Sequence, residues 1–379
     1  MSGKNKTRFS PTICVTHNCN LDCVYCYQEH DTDNRMSLDT AKKCIDWIFD
    51  NVPDDMSGVE IGFIGGEPML EFDLIKNVIE YTQKKNPSEE YIFYATTNGT
   101  VLTDKMKEWL VVHKEIFVLG LSLDGLPDTH NHNRSNSFDK IDIDFFVKTW
   151  PCQGIKMTLS EYSLEHLAEN IKYMHSLGFC EIGGVNLFEG EFNWSDEKYI
   201  KMIIPQLEGL VDFYVENNNL RLDQMMNRKL EMCEDKNHPK KKWCGIGTGA
   251  IFFDVDGTRR PCPFVTPMTF EGKELEKICS CDYSKTEDFI DDYCFNDCYM
   301  YPVCPHCAGA NYLTQKTFKV RDKSKCKIQK LITMYSADLQ AKRIVKNPEK
   351  YDEATKYNLI NAIQRIKELY LDEFAEYFD

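Results

Sequence analysis

Between Thr12 and about Leu187 the chain alternates two kinds of segment. Short runs rich in β-branched and aromatic residues cover Thr12 to Thr16, Val59 to Ile64, Tyr91 to Thr96, Ile116 to Leu123, Ile155 to Leu159 and Glu181 to Leu187. Most are near-continuously apolar, as parallel strands covered on both faces are. The longer runs between them carry apolar residues at helical spacing. Ser37, Thr103 and Ser163 each precede such a run and predict an N-cap, because a side-chain oxygen there accepts a first-turn N–H. After Ser163, the residues Leu164, Leu167, Ala168, Ile171 and Met174 share one helical face, and Gly178 predicts the stop. A further helix is predicted after Ser195, kinked at Pro205.

Six β-then-α units in a row predict a parallel α/β domain. Right-handed crossovers would wind it into a barrel or open barrel, with a doubly wound open sheet as the alternative. Either architecture puts the ligand site at the C-terminal ends of the strands. Cys19 to Cys26, Gly65 to Pro68, Asn98 to Gly99 and Ser122 to Gly125 are thereby expected on one rim.

The pattern changes near Asn237. Asn237 to Lys242 (NHPKKK) reads as a linker or exposed loop with solvated lysines. Trp243 to Cys326 is cysteine-rich with weak periodicity, as expected of a segment held by metal more than by a core. From Lys327 onward the pattern is helical and charged. Tyr351, Tyr357, Leu359, Ile360, Ile363, Ile366 and Leu369 form a stripe predicted to pack on the core rather than dock a peptide.

A length of 379 residues suggests two domains, or one with an appendage, at roughly 150 residues each. The net charge of −15 argues against nucleic-acid binding, since nothing would neutralise a run of phosphates. The start, MSGKNKTRFSP, lacks the apolar core of a signal peptide. Stretches such as Ile116 to Leu123 fall far short of the ~20 apolar residues of a membrane span. A soluble, cytoplasmic protein is expected. Cysteine then changes the picture: 17 residues, an odd count, with four between Cys14 and Cys26 and nine between Cys244 and Cys326. Only Cys44, Cys152, Cys180 and Cys233 are scattered. Clustered thiols without a secretion signal point to metal rather than disulfides.

Cys19, Cys23 and Cys26 form C-x3-C-x2-C directly after the first predicted strand. Three thiolates on one loop can hold three corners of a [4Fe–4S] cube and leave the fourth iron open to an outside ligand. A structural zinc site would want four ligands, usually as two C-x2-C pairs. Cys14 lies within the strand and reads as a buried small hydrophobe. Tyr25 precedes the last cysteine, Gly65-Gly66-Glu67-Pro68 closes the second strand, Thr97-Asn98-Gly99 the third, and Ser122-Leu123-Asp124-Gly125 the fourth. Singly these are common, and Asn98-Gly99 is also a generic turn. In this order, at successive strand ends, they make the chain resemble the radical S-adenosylmethionine (SAM) superfamily.

The resemblance implies a SAM-binding cluster on Cys19, Cys23 and Cys26, with Tyr25 as part of that motif. It implies that the Gly65-Gly66-Glu67-Pro68 backbone contacts the SAM amino group, where glycine would let the backbone approach the ligand. It further implies that Asn98, Ser122 and Asp124 hold the methionine carboxylate and ribose, joined by Arg134 and, at the adenosine, Asn186. SAM would accept one electron, from a donor such as flavodoxin or ferredoxin, and split into methionine and a 5′-deoxyadenosyl radical.

Cys244, Gly257 and Cys262 read C-x12-G-x4-C. Cys294, Cys298, Cys304 and Cys307 read C-x3-C-x5-C-x2-C, and Cys326 follows after eighteen residues. This resembles the SPASM extension of radical SAM enzymes, whose usual central spacing, C-x2-C-x5-C-x3-C, differs by one residue on each side. The resemblance implies two auxiliary [4Fe–4S] clusters. Cluster I would take Cys244, Cys262 and Cys307, with Cys233, Cys279, Cys281 or an open iron as the fourth position. Cluster II would take Cys294, Cys298, Cys304 and Cys326. A zinc ribbon on Cys294 to Cys307 is the structural alternative. The implied plan is α/β: a partial (β/α)6 TIM-like barrel over 1–236, a SPASM domain over 237–335 and a helical extension over 336–379.

SPASM enzymes mostly act on peptides or proteins, so a precursor peptide is the implied partner. The run Cys304-Pro305-His306-Cys307-Ala308-Gly309-Ala310-Asn311-Tyr312 looks like that of maturases acting on Cys-rich peptides, which implies a thioether crosslink. The rival branch, which oxidises sulfatases to formylglycine, carries Asp directly after the second auxiliary cysteine, where this chain has Pro263. A reading of another class is an iron–sulfur electron carrier or zinc scaffold without SAM chemistry. The first motif begins at residue 19, so no leader-recognition domain is expected ahead of it. Leader binding is then expected from another protein, the SPASM region or the C-terminal helices.

Overall fold

The computed structural model describes residues 8–151, 153–187, 193–235, 239–240, 242–248 and 250–377. Cys152, residues 237, 238 and 241 of the expected linker, and the first seven residues lie outside them. The chain divides into two compact units. One combines Met1–Leu123, Arg134–Gln153 and Cys244–Lys285, and the other Asp124–Asn133, Gly154–Trp243 and Thr286–Asp379. Eight strands occur among the described residues: β1 Thr12–Thr16, β2 Val59–Gly65, β3 Tyr91–Thr97, β4 Phe117–Leu121, β5 Lys156–Leu159, β6 Gly184–Leu187, β7 Phe252–Phe253 and β8 Arg259–Arg260.

In the first unit β4, β3, β2 and β1 pair in parallel in that order, and the helices Leu38–Asp50, Phe72–Lys85 and Asp104–His113 connect them. Ile13, Val15, Ile61, Phe63, Phe93 and Phe117 are buried along these strands. Their apolar runs therefore become a sheet because both faces need cover. Ser37 and Thr103 cap as expected, their hydroxyls accepting the N–H of Thr40 and of Met106. The far edge of β1 is taken by β7, parallel to it with Thr12 opposite Phe252 and Ile13 opposite Phe253, and β8 turns back antiparallel. Cys14 is fully buried and packs with Phe252 and Met268, the hydrophobe its strand position suggested. The cysteine-rich segment thus supplies sheet as well as thiols.

In the second unit β5 and β6 form their own parallel pair, from Lys156 opposite Gly184 to Leu159 opposite Leu187. Both are shorter than expected. Gly154 and Gly183 meet just before the pair, where a Cβ on Gly154 would lie 2.8 Å from the Gly183 Cα. The expected cap at Ser163 is corrected: the long helix starts after His166 with no side-chain cap, and Ser160 caps a separate short helix, Glu161–Leu164, ahead of it. Ser160 Oγ accepts the N–H of Ser163 at 3.2 Å, and Ser163 Oγ accepts the N–H of Ser160 at 2.7 Å. Ser163 is the third residue of a capping box rather than its first. The helix after it is Leu167–Ser176, ended by Gly178 at φ 102°.

The helix Glu197–Glu216 contains Pro205 and is capped by Asp196, one residue beyond the expected Ser195. The helix Cys326–Lys346 packs on it, and Glu353–Tyr370 packs on Cys326–Lys346. Of the C-terminal stripe, Leu359, Ile363 and Ile366 are buried, whereas Tyr357, Ile360 and Leu369 are exposed. No helix of the described residues is long and apolar enough to cross a membrane.

Candidate active site

The loop leaving β1 carries Cys19, Cys23 and Cys26, and it turns on itself where the N–H of Cys26 donates to the Cys23 carbonyl at 2.9 Å. Burial pushes the thiols of Cys19 and Cys26 up, and Arg134 pulls that of Cys26 partly back. Such thiols hold their protons until a metal takes the charge. The Sγ of Cys26 also lies 3.5 Å from Nε2 of His30.

Both sides of this loop are fastened. On one side Ser135, at φ 54°, accepts the N–H of Asp22 and donates to the Asp22 carbonyl, each at 2.9 Å. Ser135 and Asn136 stand one after the other in the left-handed region, strain that a non-glycine backbone tolerates only when its surroundings hold it. The guanidinium of Arg134 lies 5.3 Å from the Tyr25 ring, so the arginine just before the clasp touches the motif tyrosine.

On the other side stands the Gly65-Gly66-Glu67-Pro68 turn. The Glu67 N–H donates to the Asn18 carbonyl at 2.8 Å. A Cβ on Gly66 would lie 2.4 Å from the Asn18 oxygen and 2.8 Å from the Cys19 Cβ, and one on Gly65 would lie 2.4 Å from the Thr16 oxygen. Gly66 is therefore required by the thiol loop itself, and Gly65 by the end of β1 from which that loop leaves. Gly66→Ala should displace Cys19, lowering iron uptake severalfold and stability by about 1–3 kcal/mol, checked by iron analysis and denaturation.

Glu67 is fully buried and acts as a brace. Its Oε1 accepts the Thr97 hydroxyl at 2.7 Å and the Met69 N–H at 3.0 Å, and its Oε2 accepts the Asn98 N–H at 2.7 Å. Burial still pushes its carboxyl above the ordinary range. Asn98 donates to Asn20 Oδ1 at 3.0 Å, which ties the tip of β3 to the thiol loop. The Ser122 N–H donates to the Thr97 carbonyl at 2.9 Å. Pro68 opens the short helix Pro68–Glu71. Thiol loop, glycine turn and the ends of β3 and β4 are thus gathered in the first unit.

Asp124 belongs to the second unit and is fully buried. Its Oδ2 accepts from Asn133 Nδ2 at 3.1 Å and its Oδ1 from the Thr158 N–H at 3.2 Å, so it braces β5. Asn186, exposed on β6, lines a cavity of about 530 Å³ together with Met225, Arg228, Trp243, Tyr301 and Arg321. Sequence reasoning missed Ser135, because its left-handed backbone leaves no compositional mark. It also missed the buried His17–Asp254 pair, 2.7 Å apart. Although burial pushes the Asp254 carboxyl up, the His17 hydrogen bond, the Val255 N–H and Arg260 outweigh it and hold it below the usual range.

A second thiol site lies wholly within the second unit. Cys294, Cys298, Cys304 and Cys326 line one chamber of about 110 Å³, and Cys307 joins them at the start of the helix Ala308–Gln315. Burial pushes the thiols of Cys294 and Cys304 up, and that of Cys326 up to about 11. Asn311 Nδ2, His306 Nδ1 and Arg321 Nε, on residues of the same wall, are buried without a hydrogen-bond partner. Several thiols, orphaned polar groups and a small chamber fit a sulfur-rich metal cluster, which offers sulfide acceptors to nearby donors. Cys233 lies close enough to Cys298 to feel its charge, and burial pushes its thiol up to about 12. Cys244, Cys262, Cys279 and Cys281 belong to the first unit, where Arg260 Nη1 approaches the Cys279 Sγ at 3.7 Å.

A parallel α/β unit with a three-thiol loop at the end of its first strand defines an iron–sulfur enzyme of the SAM-cleaving kind. The family comparison agrees: residues 13–203 match the radical SAM superfamily, and the chain belongs to it. SAM and a [4Fe–4S] cluster are the cofactors this implies. The chain is 27% identical over 271 residues to the cysteine-type anaerobic sulfatase-maturating enzyme of Clostridium perfringens, covering 65% of this chain and 71% of that one. A solved structure of anSMEcpe with bound AdoMet superposes with a TM-score of 0.68 at 18% identity, over 92% of this chain and 98% of that one. Streptococcus suis SuiB bound to precursor peptide SuiA gives 0.53 at 16% identity, over 84% and 76%. The fold is therefore that of the radical SAM partial barrel with a C-terminal cysteine-rich region, as the strand order and motifs led one to expect.

Proposed function

We propose that this enzyme matures a ribosomally made, Cys-rich precursor peptide in the cytoplasm, removing a hydrogen atom and closing a crosslink, a thioether. The observation that best supports it is the doubly fastened three-thiol loop, in a chain whose fold is shared with an enzyme solved on its precursor peptide. Cys19, Cys23 and Cys26 would hold the SAM-binding cluster. Tyr25, Gly65, Gly66, Glu67, Pro68, Asn98, Ser122, Arg134 and Asn186 would frame SAM, with Asp124 acting through the strand end it braces. Cys294, Cys298, Cys304 and Cys326 would hold auxiliary cluster II. Cys244, Cys262 and Cys307 would hold cluster I, completed by Cys233, Cys279, Cys281 or left open. The boundaries 1–236, 237–335 and 336–379 remain the proposed domain plan.

When bound at Cys19, Cys23 and Cys26, the cluster with SAM would supply radical hydrogen-abstraction chemistry. The chain's own work is to hold. Glu67 and Ser135 keep the thiol loop still, and within the second unit the cavity beside Asn186 offers Met225, Trp243 and Tyr301 as an apolar surface for a peptide segment. Flavodoxin or ferredoxin would supply the electron.

Oxidation of a sulfatase to formylglycine is the second reading, favoured by the likeness to the Clostridium enzyme and opposed by Pro263. Anaerobic reconstitution should give about twelve iron atoms per chain, three clusters of four. Co-expression with a candidate Cys-rich peptide should then remove two hydrogens per crosslink by mass. Loss of sulfur with formylglycine on a sulfatase peptide would select the second reading. Absence of 5′-deoxyadenosine with SAM and reductant would remove both and leave an electron carrier or scaffold.

A further inference from the structure

A charged frame surrounds one thiol of the second unit. Lys323 Nζ lies 2.9 Å from Cys294 Sγ and 2.9 Å from Asp291 Oδ2. Asp291 is itself held, its Oδ1 accepting the Cys294 N–H at 3.1 Å and its Oδ2 the Arg321 N–H at 2.9 Å. Held by those donors, the Asp291 carboxylate fixes the Lys323 ammonium beside the sulfur. Arg321 is buried, stacks its guanidinium 4.8 Å from the Tyr301 ring, and lines the thiol chamber with its Nε unpartnered. None of these three residues is part of the cysteine pattern.

We propose that Lys323, positioned by Asp291 and seconded by Arg321, raises the reduction potential of the cluster on Cys294, Cys298, Cys304 and Cys326. This rests on the reading that these thiols carry a [4Fe–4S] cluster. The reduced cluster has one more negative charge than the oxidised one. An N–H donor on a ligand sulfur and a cation beside it therefore favour the reduced form, the half-exposed Lys323 partly screened by water and Arg321 buried. The step is the gain of one electron from a one-electron donor, with no bond made or broken. In the titration that donor is dithionite.

The test compares full-length reconstituted protein with Lys323→Met and Lys323→Arg, by iron analysis and by dithionite titration followed by electron paramagnetic resonance. Lys323→Met should keep its iron and shift the reduced-to-oxidised ratio of one cluster about tenfold towards oxidised, ~59 mV for one electron. Lys323→Arg, which restores a cation and a donor, should recover most of the shift. An unmoved midpoint with iron retained overturns the inference and leaves the proposed function standing. A parent protein with about four irons would instead remove the cluster reading beneath it. If Lys323→Met fails to load, Lys323→Gln keeps a neutral donor and carries the same test: its midpoint should fall, and an unshifted value overturns the inference.

Discussion

Protein carrying Cys26→Ala together with His30→Ala should take up about four fewer iron atoms than the parent and cleave SAM no faster than the background reaction. Both changes are needed because His30 Nε2 lies 3.5 Å from the Cys26 sulfur, near enough to replace it as a ligand. The loop has three thiols for three irons, so losing one without a substitute leaves two corners of the cube unheld. The other thiol sites are on other elements and should retain about eight irons. Iron analysis and 5′-deoxyadenosine measured by chromatography check both halves. Full iron content with SAM cleavage intact would take the cofactor site away from this loop.

Glu67→Ala should cost the most in stability, about 3–5 kcal/mol in the apo-protein, read from chemical denaturation. Three donors lose their acceptor at once: the Thr97 hydroxyl and the N–H groups of Asn98 and Met69. Each buried donor left unmet costs about 1–3 kcal/mol, and relief of the buried carboxyl offsets part of the sum. Glu67→Gln keeps one acceptor oxygen and should lose roughly half as much. A loss under about 1 kcal/mol for Glu67→Ala would mean that water replaces the carboxylate and that the brace is no brace.

The parts of this fold that a reader of the sequence finds are those whose physics is local. β1 to β4 show because each is an unbroken apolar run between helix-period segments, and Ser37 and Thr103 because a cap acts over three residues. The thiol spacing shows because one loop must hold one cluster. Ser160 is missed because the apolar face runs on through Leu164 and Leu167 and hides the break between a four-residue helix and the long one after it. β7 is missed because two residues carry no period at all, and its place is set by an edge formed far earlier in the chain. Lys323 is missed for a different reason: a lysine among many acquires meaning only from the sulfur its Nζ meets.

The pairing of β1 with β7 bears on how the protein is made. His17 and Asp254, the polar seal of that join, are 237 residues apart. During translation β1 and its thiols leave the ribosome with one edge bare, and they stay so until most of the chain has followed. Contacts of such sequence separation close slowly, and a bare edge invites wrong partners. That edge of β1 therefore stays open until Phe252 and Asp254 have been made, and a chain cut short before them should self-associate through it.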